Sequence, residues 1–395
     1  MKPKVLVITT LYPNAIQFRH GIFVETRIKH LQQSGQVNIT VIAPVPWFPF
    51  NSEHFPVYAK YAEIPRQEVR YGLNVYHPRY LVIPKIGMLL TPFFLAYSIY
   101  REIKQLLNHS HQFDLIDCHY YYPDGVAAAI VSKIFKLPLA ITARGSDINL
   151  IADFFLPRKM MLWAGKVATL NNAVCEALRQ RMIEIGIKPE TTRVFRNGVD
   201  LDLFIPLDRN QLRKKWQIQD KLLVSVGNLI ELKGHHLIIQ AMISLTDYRL
   251  FIVGAGEWED KLKAMTVMLG LEDRIRFLGE RKQEELVELY NCADALVLAS
   301  SREGWANVLL EALACGTPVV VTNISGTPEV IAAPEAGVLC DERSAEGIVD
   351  GVCRLFENYP SRKETRLYAE KFSWQETTDG IVKAFTELAA KTALR

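Results

Sequence analysis

Short apolar runs alternate along this chain with stretches whose apolar positions recur at helical spacing, and that alternation predicts an α/β architecture with parallel sheets. In the first half the strand-like runs are Val5 to Thr9, Asn38 to Ala43, Leu115 to Cys118, Leu139 to Thr142, Lys166 to Leu170 and Thr192 to Phe195. Helical patterns fall between them, such as Val24 to Gln33 and Val126 to Phe135. The alternation restarts with Leu222 to Val226, Arg249 to Val253, Ile275 to Leu278, Ala295 to Leu298, Val319 to Val321 and Gly337 to Leu339. Between the two sets, Asn197-Gly198-Val199-Asp200 and Phe204-Ile205-Pro206-Leu207-Asp208 carry turn signals, which places a linker at about 197–210. Two doubly wound Rossmann-like domains, 1–200 and 201–374, are expected to face each other across a cleft, with ligands at the strand ends.

At 395 residues the chain is too long for one ordinary core, which agrees with two domains. Six cysteines, at 118, 175, 292, 315, 340 and 353, form no CxxC pair and sit mostly in apolar runs. They read as reduced thiols, and neither a disulfide framework nor a metal cluster is expected. The apolar run after Met1 is too short for a signal peptide and lacks a cleavage site, so a cytoplasmic location is expected.

The net charge of +3 conceals an asymmetry: residues 1–200 carry 23 Lys and Arg against 14 Asp and Glu, the remainder 23 against 29. A basic half favours anionic partners such as phosphates or a lipid surface. Nucleic acid is not expected, because no compact basic run with interleaved aromatics occurs. Leu81 to Tyr100 is almost wholly apolar apart from Lys85, but Pro84, Gly87 and Pro92 interrupt it. It reads as a buried or interfacial helix. With Trp47-Phe48-Pro49-Phe50 it suggests peripheral contact with the inner face of a membrane.

The candidate chemistry centres on Glu303-Gly304-Trp305-Ala306-Asn307-Val308-Leu309-Leu310-Glu311. A helix from Ala306 to Cys315, ended by Gly316 and Pro318, surrounds Glu311 with apolar neighbours and predicts a buried carboxylate. Such a charge costs several kcal/mol, on the order of 3–5, unless it is paired. It therefore needs either a core arginine or a ligand offering hydroxyl donors. The helix follows an apolar strand, so its positive N-terminal end lies where anions bind in strand–loop–helix units. Glu311 stands roughly 7 Å further along, a span comparable with that from a nucleotide's diphosphate to its ribose. On the bland reading, Glu311 pairs with a core arginine and Glu303 is solvated.

Other residues have the same placement at strand ends. Lys233 closes the loop Gly227-Asn228-Leu229-Ile230-Glu231-Leu232-Lys233-Gly234 after an apolar strand, where a cation can neutralise a diphosphate. Gly21 ends the loop after Val5 to Thr9 and lets backbone approach a ligand closely. Gly254-Ala255-Gly256 is a weak phosphate signal alone. His119 and Asp147 follow strands of the first half and are expected to project towards ligand, His119 as a candidate for substrate hydroxyl contacts.

Together these residues resemble the retaining glycosyltransferases of family 4, which have the GT-B fold. The most specific part runs from Glu303 through Gly316 to Val320 and looks like that family's paired-glutamate signature. Supporting matches are Asn197-Gly198-Val199-Asp200, Lys233-Gly234, Phe277-Leu278-Gly279, Gly326 with Glu329, and Phe372-Ser373-Trp374. The resemblance implies that 375–395 crosses back to the first domain. It also implies Glu311 on the donor ribose, Glu303 on the transferred sugar, and backbone amides of Gly304, Trp305, Ala306, Asn307 and Val308 on the phosphates. Lys233 would then neutralise the leaving diphosphate, Leu278 would border the base, and His119 would stand beside the donor sugar. Asn228 occupies a position where an arginine is common, so Arg302 becomes a candidate second cation. Arg144, with Asp147 on the acceptor side, stands where a histidine is common.

The resemblance implies transfer of a sugar from a nucleotide diphosphate sugar to a hydroxyl, with no cofactor and no metal. A glycan or lipid-linked acceptor in surface polysaccharide synthesis fits the basic, partly apolar first half. A nucleotide-sugar epimerase or a non-catalytic nucleotide-sugar binder would use the same architecture.

Overall fold

Residues 2–48, 60–83 and 87–393 are described in a computed structural model of the chain. Two units divide it: 1–197 with 375–395, and 198–374. Pro49, Phe50, Pro84 and Lys85, which entered the membrane expectation, lie outside the described residues.

The first unit holds an eight-stranded sheet built from β1 (Lys4–Ile8), β2 (Asn38–Ile42), β4 (Gln67–Arg70), β5 (Leu73–Tyr76), β7 (Leu115–His119), β8 (Leu139–Thr142), β9 (Leu170–Ala173) and β10 (Thr192–Val194). A separate parallel pair joins β3 (Val45–Trp47) to β6 (Arg79–Leu81). The sheet order is β10-β9-β8-β7-β1-β2-β5-β4, parallel throughout except for the edge pair β4 and β5. Chain order therefore reverses between β1 and β7. Helix α1 (Ile22–Gln33) and the terminal helix α12 (Trp374–Ala393) cover one face, where Val24, Ile28, Ile381 and Phe385 pack on Val5, Val7 and Leu115.

The second unit has six parallel strands: β11 (Lys221–Val226), β12 (Tyr248–Val253), β13 (Ile275–Phe277), β14 (Ala295–Leu298), β15 (Val319–Thr322) and β16 (Gly337–Cys340). Their order, β13-β12-β11-β14-β15-β16, puts the reversal between β11 and β14. Helices winding off in opposite directions from two such strands leave a crevice at their carboxyl ends.

Most predicted strands are present within a residue or two. The exception is Lys166 to Leu170: Lys166 and Val167 end the helix α4 (Phe155–Val167), and the strand is Leu170–Ala173. Its middle residues, Asn171 and Asn172, are buried amides that hide the strand from a hydrophobicity reading. Asn171 is satisfied by Gly165 O, Thr191 Oγ1 and the Tyr121 hydroxyl. The apolar stretch up to Tyr100 becomes a 3-10 turn, Gly87–Leu89, and the helix α2 (Thr91–Asn108), which buries Leu95, Ile99 and Ile103 and exposes Phe93 and Tyr97. Among the described residues no helix is long and apolar enough to cross a membrane.

Gly234 is where glycine is obligatory. Its φ is 69°, and a Cβ there would lie 2.0 Å from the carbonyl oxygen of Ala299. This contact brings the loop after β11 against the loop after β14. Gly234→Ala is expected to destabilise the protein by at least about 1–2 kcal/mol from the left-handed backbone alone, with more from the clash. Urea unfolding measures it, and an unchanged midpoint would contradict the contact.

Candidate active site

The crevice of the second unit gathers two predicted residues that are 70 positions apart. Lys233 ends a 3-10 turn, Glu231–Lys233, and its stem lies along Gly227, where a Cβ would come within 3.5 Å of Lys233 Cδ. Its Nζ is 2.6 Å from Glu303 Oε1, with the side chains 22% and 10% exposed. The buried Ser300 donates its hydroxyl to the same oxygen at 2.6 Å. Ser301 N–H donates to Leu232 O at 2.8 Å, and Thr322 Oγ1 to Ser300 O at 2.7 Å, so three strand ends brace the pair. Glu303 is thus held by a cation and a hydroxyl, and the reading of it as solvated does not stand.

Glu311 requires a correction. It sits on the helix α9 (Asn307–Ala314), whose Leu309, Leu310, Ala312, Leu313 and Ala314 are buried as expected. Asn307, Val308 and Glu311, however, are only partly buried and form one open stripe at positions i, i+1 and i+4. The carboxylate is therefore not sunk in the core. Tyr290, fully buried on α8 (Gln283–Cys292) and set beside Phe204, donates its hydroxyl to Glu311 Oε2 at 3.0 Å.

The remaining donor-side candidates separate by exposure. Gly304 is partly buried, whereas Trp305 and Ala306 are buried, with the indole near Phe372 at 6.3 Å between ring centroids. Asn228 is exposed on the loop after β11, and Arg302 is exposed beside Glu303. Leu278 is half-buried just past β13, two strands from β11. His235, which sequence reasoning passed over in Lys233-Gly234-His235-His236, lies buried behind Lys233 with Nδ1 3.0 Å from Ser225 Oγ. Burial, and then Lys233, push its pKa down to about 4.

In the first unit the expectations for His119 and Asp147 change. His119 is fully buried rather than projecting outwards: Nδ1 accepts from Arg144 Nη2 at 2.6 Å, and Nε2 lies 3.2 Å from Asp117 Oδ2. Burial lowers its pKa to about 4 despite Asp117. In this arrangement it positions Arg144. Asp147, also buried, accepts the backbone N–H groups of Tyr121 at 2.8 Å, Gly145 at 2.8 Å and Arg144 at 3.1 Å, tying the loops after β7 and β8 together. Arg144 is half-buried and also donates to Asn197 Oδ1 at 3.1 Å. Gly21, with φ 71°, precedes α1 and packs against Leu11, where a Cβ would come within 2.3 Å.

Asp124 carried no sequence signal. It spans the reversal point between β1 and β7, accepting the Thr10 backbone N–H and, at 3.0 Å, the Thr10 hydroxyl. Burial raises its pKa from 3.8 to about 7, against the pull of those bonds. A cavity of about 400 Å³ elsewhere in this unit, lined by Arg66, Tyr76, Glu102 and His109 among others, holds none of the predicted site residues.

Two doubly wound units, one with a lysine–glutamate pair at its reversal point, define the GT-B class of glycosyltransferases. The family model described as Glycosyltransferase Family 4 matches residues 21–203, and that of Glycosyl transferases group 1 matches 208–372. TuaC of Bacillus subtilis, named for teichuronic acid biosynthesis, is 28% identical over 363 residues, spanning 89% of this chain and 88% of that one. The N-acetyl-alpha-D-glucosaminyl L-malate synthase of Bacillus anthracis is 27% identical over 252 residues, spanning 62% of this chain and 66% of its own. The solved structure of Anabaena HepE in complex with UDP-glucose has the same fold, with a TM-score of 0.72 at 20% identity over 97% of this chain and 99% of that one. The chain belongs to glycosyltransferase family 4.

The Asp124 carboxyl gives a pH test. Because its folded pKa is raised, between about pH 4 and 7 the native state holds a proton that the unfolded chain has released, so its contribution to stability falls as pH rises through that window. His119, with its lowered pKa, has the opposite slope between about 4 and 6.5. Asp124→Asn removes only the first slope. Its denaturation midpoint should gain on wild type from pH 5 to pH 8, and parallel profiles would contradict the assignment.

Proposed function

We propose that this glycosyltransferase moves a sugar from a nucleoside diphosphate sugar to an acceptor hydroxyl with retention of configuration at the anomeric carbon. The observation that carries the reading is the Lys233–Glu303 pair, braced by Ser300 at the β11/β14 reversal point beside the N-terminus of α9. HepE, which shares the fold, has been solved with UDP-glucose, and the same donor class is assigned to this chain. In the proposed step the bond from the anomeric carbon to the diphosphate breaks and the bond to the acceptor oxygen forms on the same face. The acceptor's proton passes to the leaving phosphate oxygen, so no metal and no protein nucleophile enters the scheme. Lys233 and the positive end of α9 stabilise the departing charge, which is where such groups contribute most. Glu303 faces the sugar hydroxyls and Glu311 the ribose diol.

The acceptor proposed is a glycan or a lipid-linked glycan of surface polysaccharide synthesis, handled at the cytoplasmic face of the membrane. Helices α2 and α4 begin at the carboxyl ends of the first unit's strands. There Met88, Leu89, Leu90 and Phe93, and Phe154, Phe155 and Leu156, are exposed. Lys159 Nζ lies 4.3 Å from the Phe155 ring centroid, which places a cation at this apolar edge, as membrane-surface helices do. Phe155→Ser should reduce cosedimentation with anionic phospholipid vesicles, and equal recovery with the pellet would remove the membrane role.

Nucleotide release from UDP-, GDP- and ADP-sugars, with and without an extract of lipid-linked glycans, tests the main reading. Release that requires acceptor supports transfer; an epimer formed from donor alone, or tight donor binding without turnover, would replace it. Lys233→Ala is expected to lower kcat at least ~10²-fold, the scale of losing one transition-state donor; near-normal turnover would refute its role. Tyr290→Phe should raise the donor KM about tenfold or more, the worth of one hydrogen bond to a charged group, with kcat largely kept. A fall in kcat at unchanged KM would contradict a ribose-side task for Glu311.

A further inference from the structure

Beneath the loops of the first unit lie two arginines that the scheme above does not use together. Arg27, on α1, is 2% exposed, and among the described residues its Nε and Nη1 have no hydrogen-bond acceptor. Its place is unusual for a charge: Val24, Ile28 and Leu31 share its apolar stripe. Arg144 is within electrostatic reach of it, half-buried, with its guanidinium 5.4 Å from the ring centroid of Phe23, one turn before Arg27 on the same helix. The Nε of Arg144 is likewise buried and without an acceptor. Both Nη bonds of Arg144 go to neutral atoms, Asn197 Oδ1 and the His119 ring.

Among the described residues neither guanidinium forms an ion pair. Asp117 is within electrostatic reach of both, while Asp147, near Arg144, already accepts three backbone N–H groups. Burial first, and then the like charge of Arg27, lower the protonation of Arg144. A guanidinium stays charged and carries five donors, and buried donors without acceptors are expensive. The chemistry that completes such a pair is an oxyanion, which takes two parallel N–H bonds from one arginine and charge from the other.

The geometry points to an oxyanion subsite formed by the half-buried Arg144 and the buried Arg27, taking a phosphate or carboxylate group carried by the acceptor. The acceptor assignment rests on the glycosyltransferase reading; the anion chemistry does not. Binding exchanges the neutral partners of Arg144 for a charged one, which strengthens those bonds and releases the His119 ring and Asn197. The excess of basic residues in 1–200 favours the approach of such a ligand.

Calorimetric titration of the full chain with inorganic phosphate and, separately, with L-malate distinguishes the two oxyanions, with UDP as the control for the second unit. Wild type should bind at least one of them saturably. Arg144→Gln and Arg27→Gln should each weaken that binding about tenfold or more, the loss of one hydrogen bond to a charged group, with UDP affinity unchanged. If Arg27→Gln does not fold, Arg144→Gln decides, since its side chain is only half-buried. Absence of saturable binding of either anion, or equal affinity in Arg144→Gln, overturns the subsite. Loss of UDP binding and of sugar transfer in wild type, with anion binding intact, would remove the transferase reading and leave the subsite standing.

Discussion

The ion pair between Lys233 and Glu303 depends on a constraint of backbone packing before it depends on charge. The two residues leave neighbouring strands, β11 and β14, whose following helices wind to opposite faces of the sheet. Loops that diverge in this way normally leave a gap. Here they close it, because Gly234 admits the Ala299 carbonyl and Ser301 bonds back to Leu232. Ser300 then fixes one oxygen of Glu303 and Lys233 takes the same oxygen. A side chain on residue 234 would part the loops, and with them the one charged contact on which the donor reading rests.

The first unit uses the same topology for a different purpose. Along its strands, the face towards α1 and α12 starts apolar and ends polar: Val5 and Val7 lead to Thr9, Leu115 to Asp117 and His119, Ala140 to Thr142, and Leu170 to Asn172. Alternation puts these residues on one face, so the polar ends form a layer above the apolar core at the carboxyl edge of the sheet. Buried polar layers persist only where their members bond to one another. Asp147 and Asp124 do this for the loops, and His119 does it for Arg144. Asp124 across β1 and β7 occupies the position that the lysine–glutamate pair holds across β11 and β14. One reversal point is closed by a carboxyl with a raised pKa, the other by opposite charges.

The fold was legible wherever burial follows hydrophobicity, because a strand covered on both faces reads as an apolar run. It was not legible at Leu170–Ala173, where two amides occupy core positions, with the NH2 of Asn171 bonded to Gly165 and Thr191 and that of Asn172 to Thr142. The paired glutamates and Lys233 were visible as motifs at strand ends. Their pairing was not, since nothing local relates residues 70 positions apart. The burial expected of Glu311 came from counting apolar neighbours, a count that cannot tell that Asn307, Val308 and Glu311 share a stripe left partly open. Asp124 and Thr10 belong to no motif. Arg27 did leave a trace, a basic residue on the apolar face of an amphipathic helix, which is the pattern that marks a buried charge in need of a partner.

The departure at Asn228 follows from the same pair. Where a second cation is common in the family, this chain has an exposed amide, and Arg302 nearby is exposed as well. A single lysine opposing a diphosphate would stand as an isolated, partly buried charge unless another anion held it, and Glu303 is that anion. On the proposed reading, a donor's phosphate competes for Lys233 while the hydroxyl of Ser300 stays on the carboxylate, so Glu303 is never left bare. The carboxylate, released from the lysine, then meets the sugar hydroxyls. On that reading one cation can serve, because its counter-charge is also the group assigned to the sugar hydroxyls, and both sit on the same pair of loops.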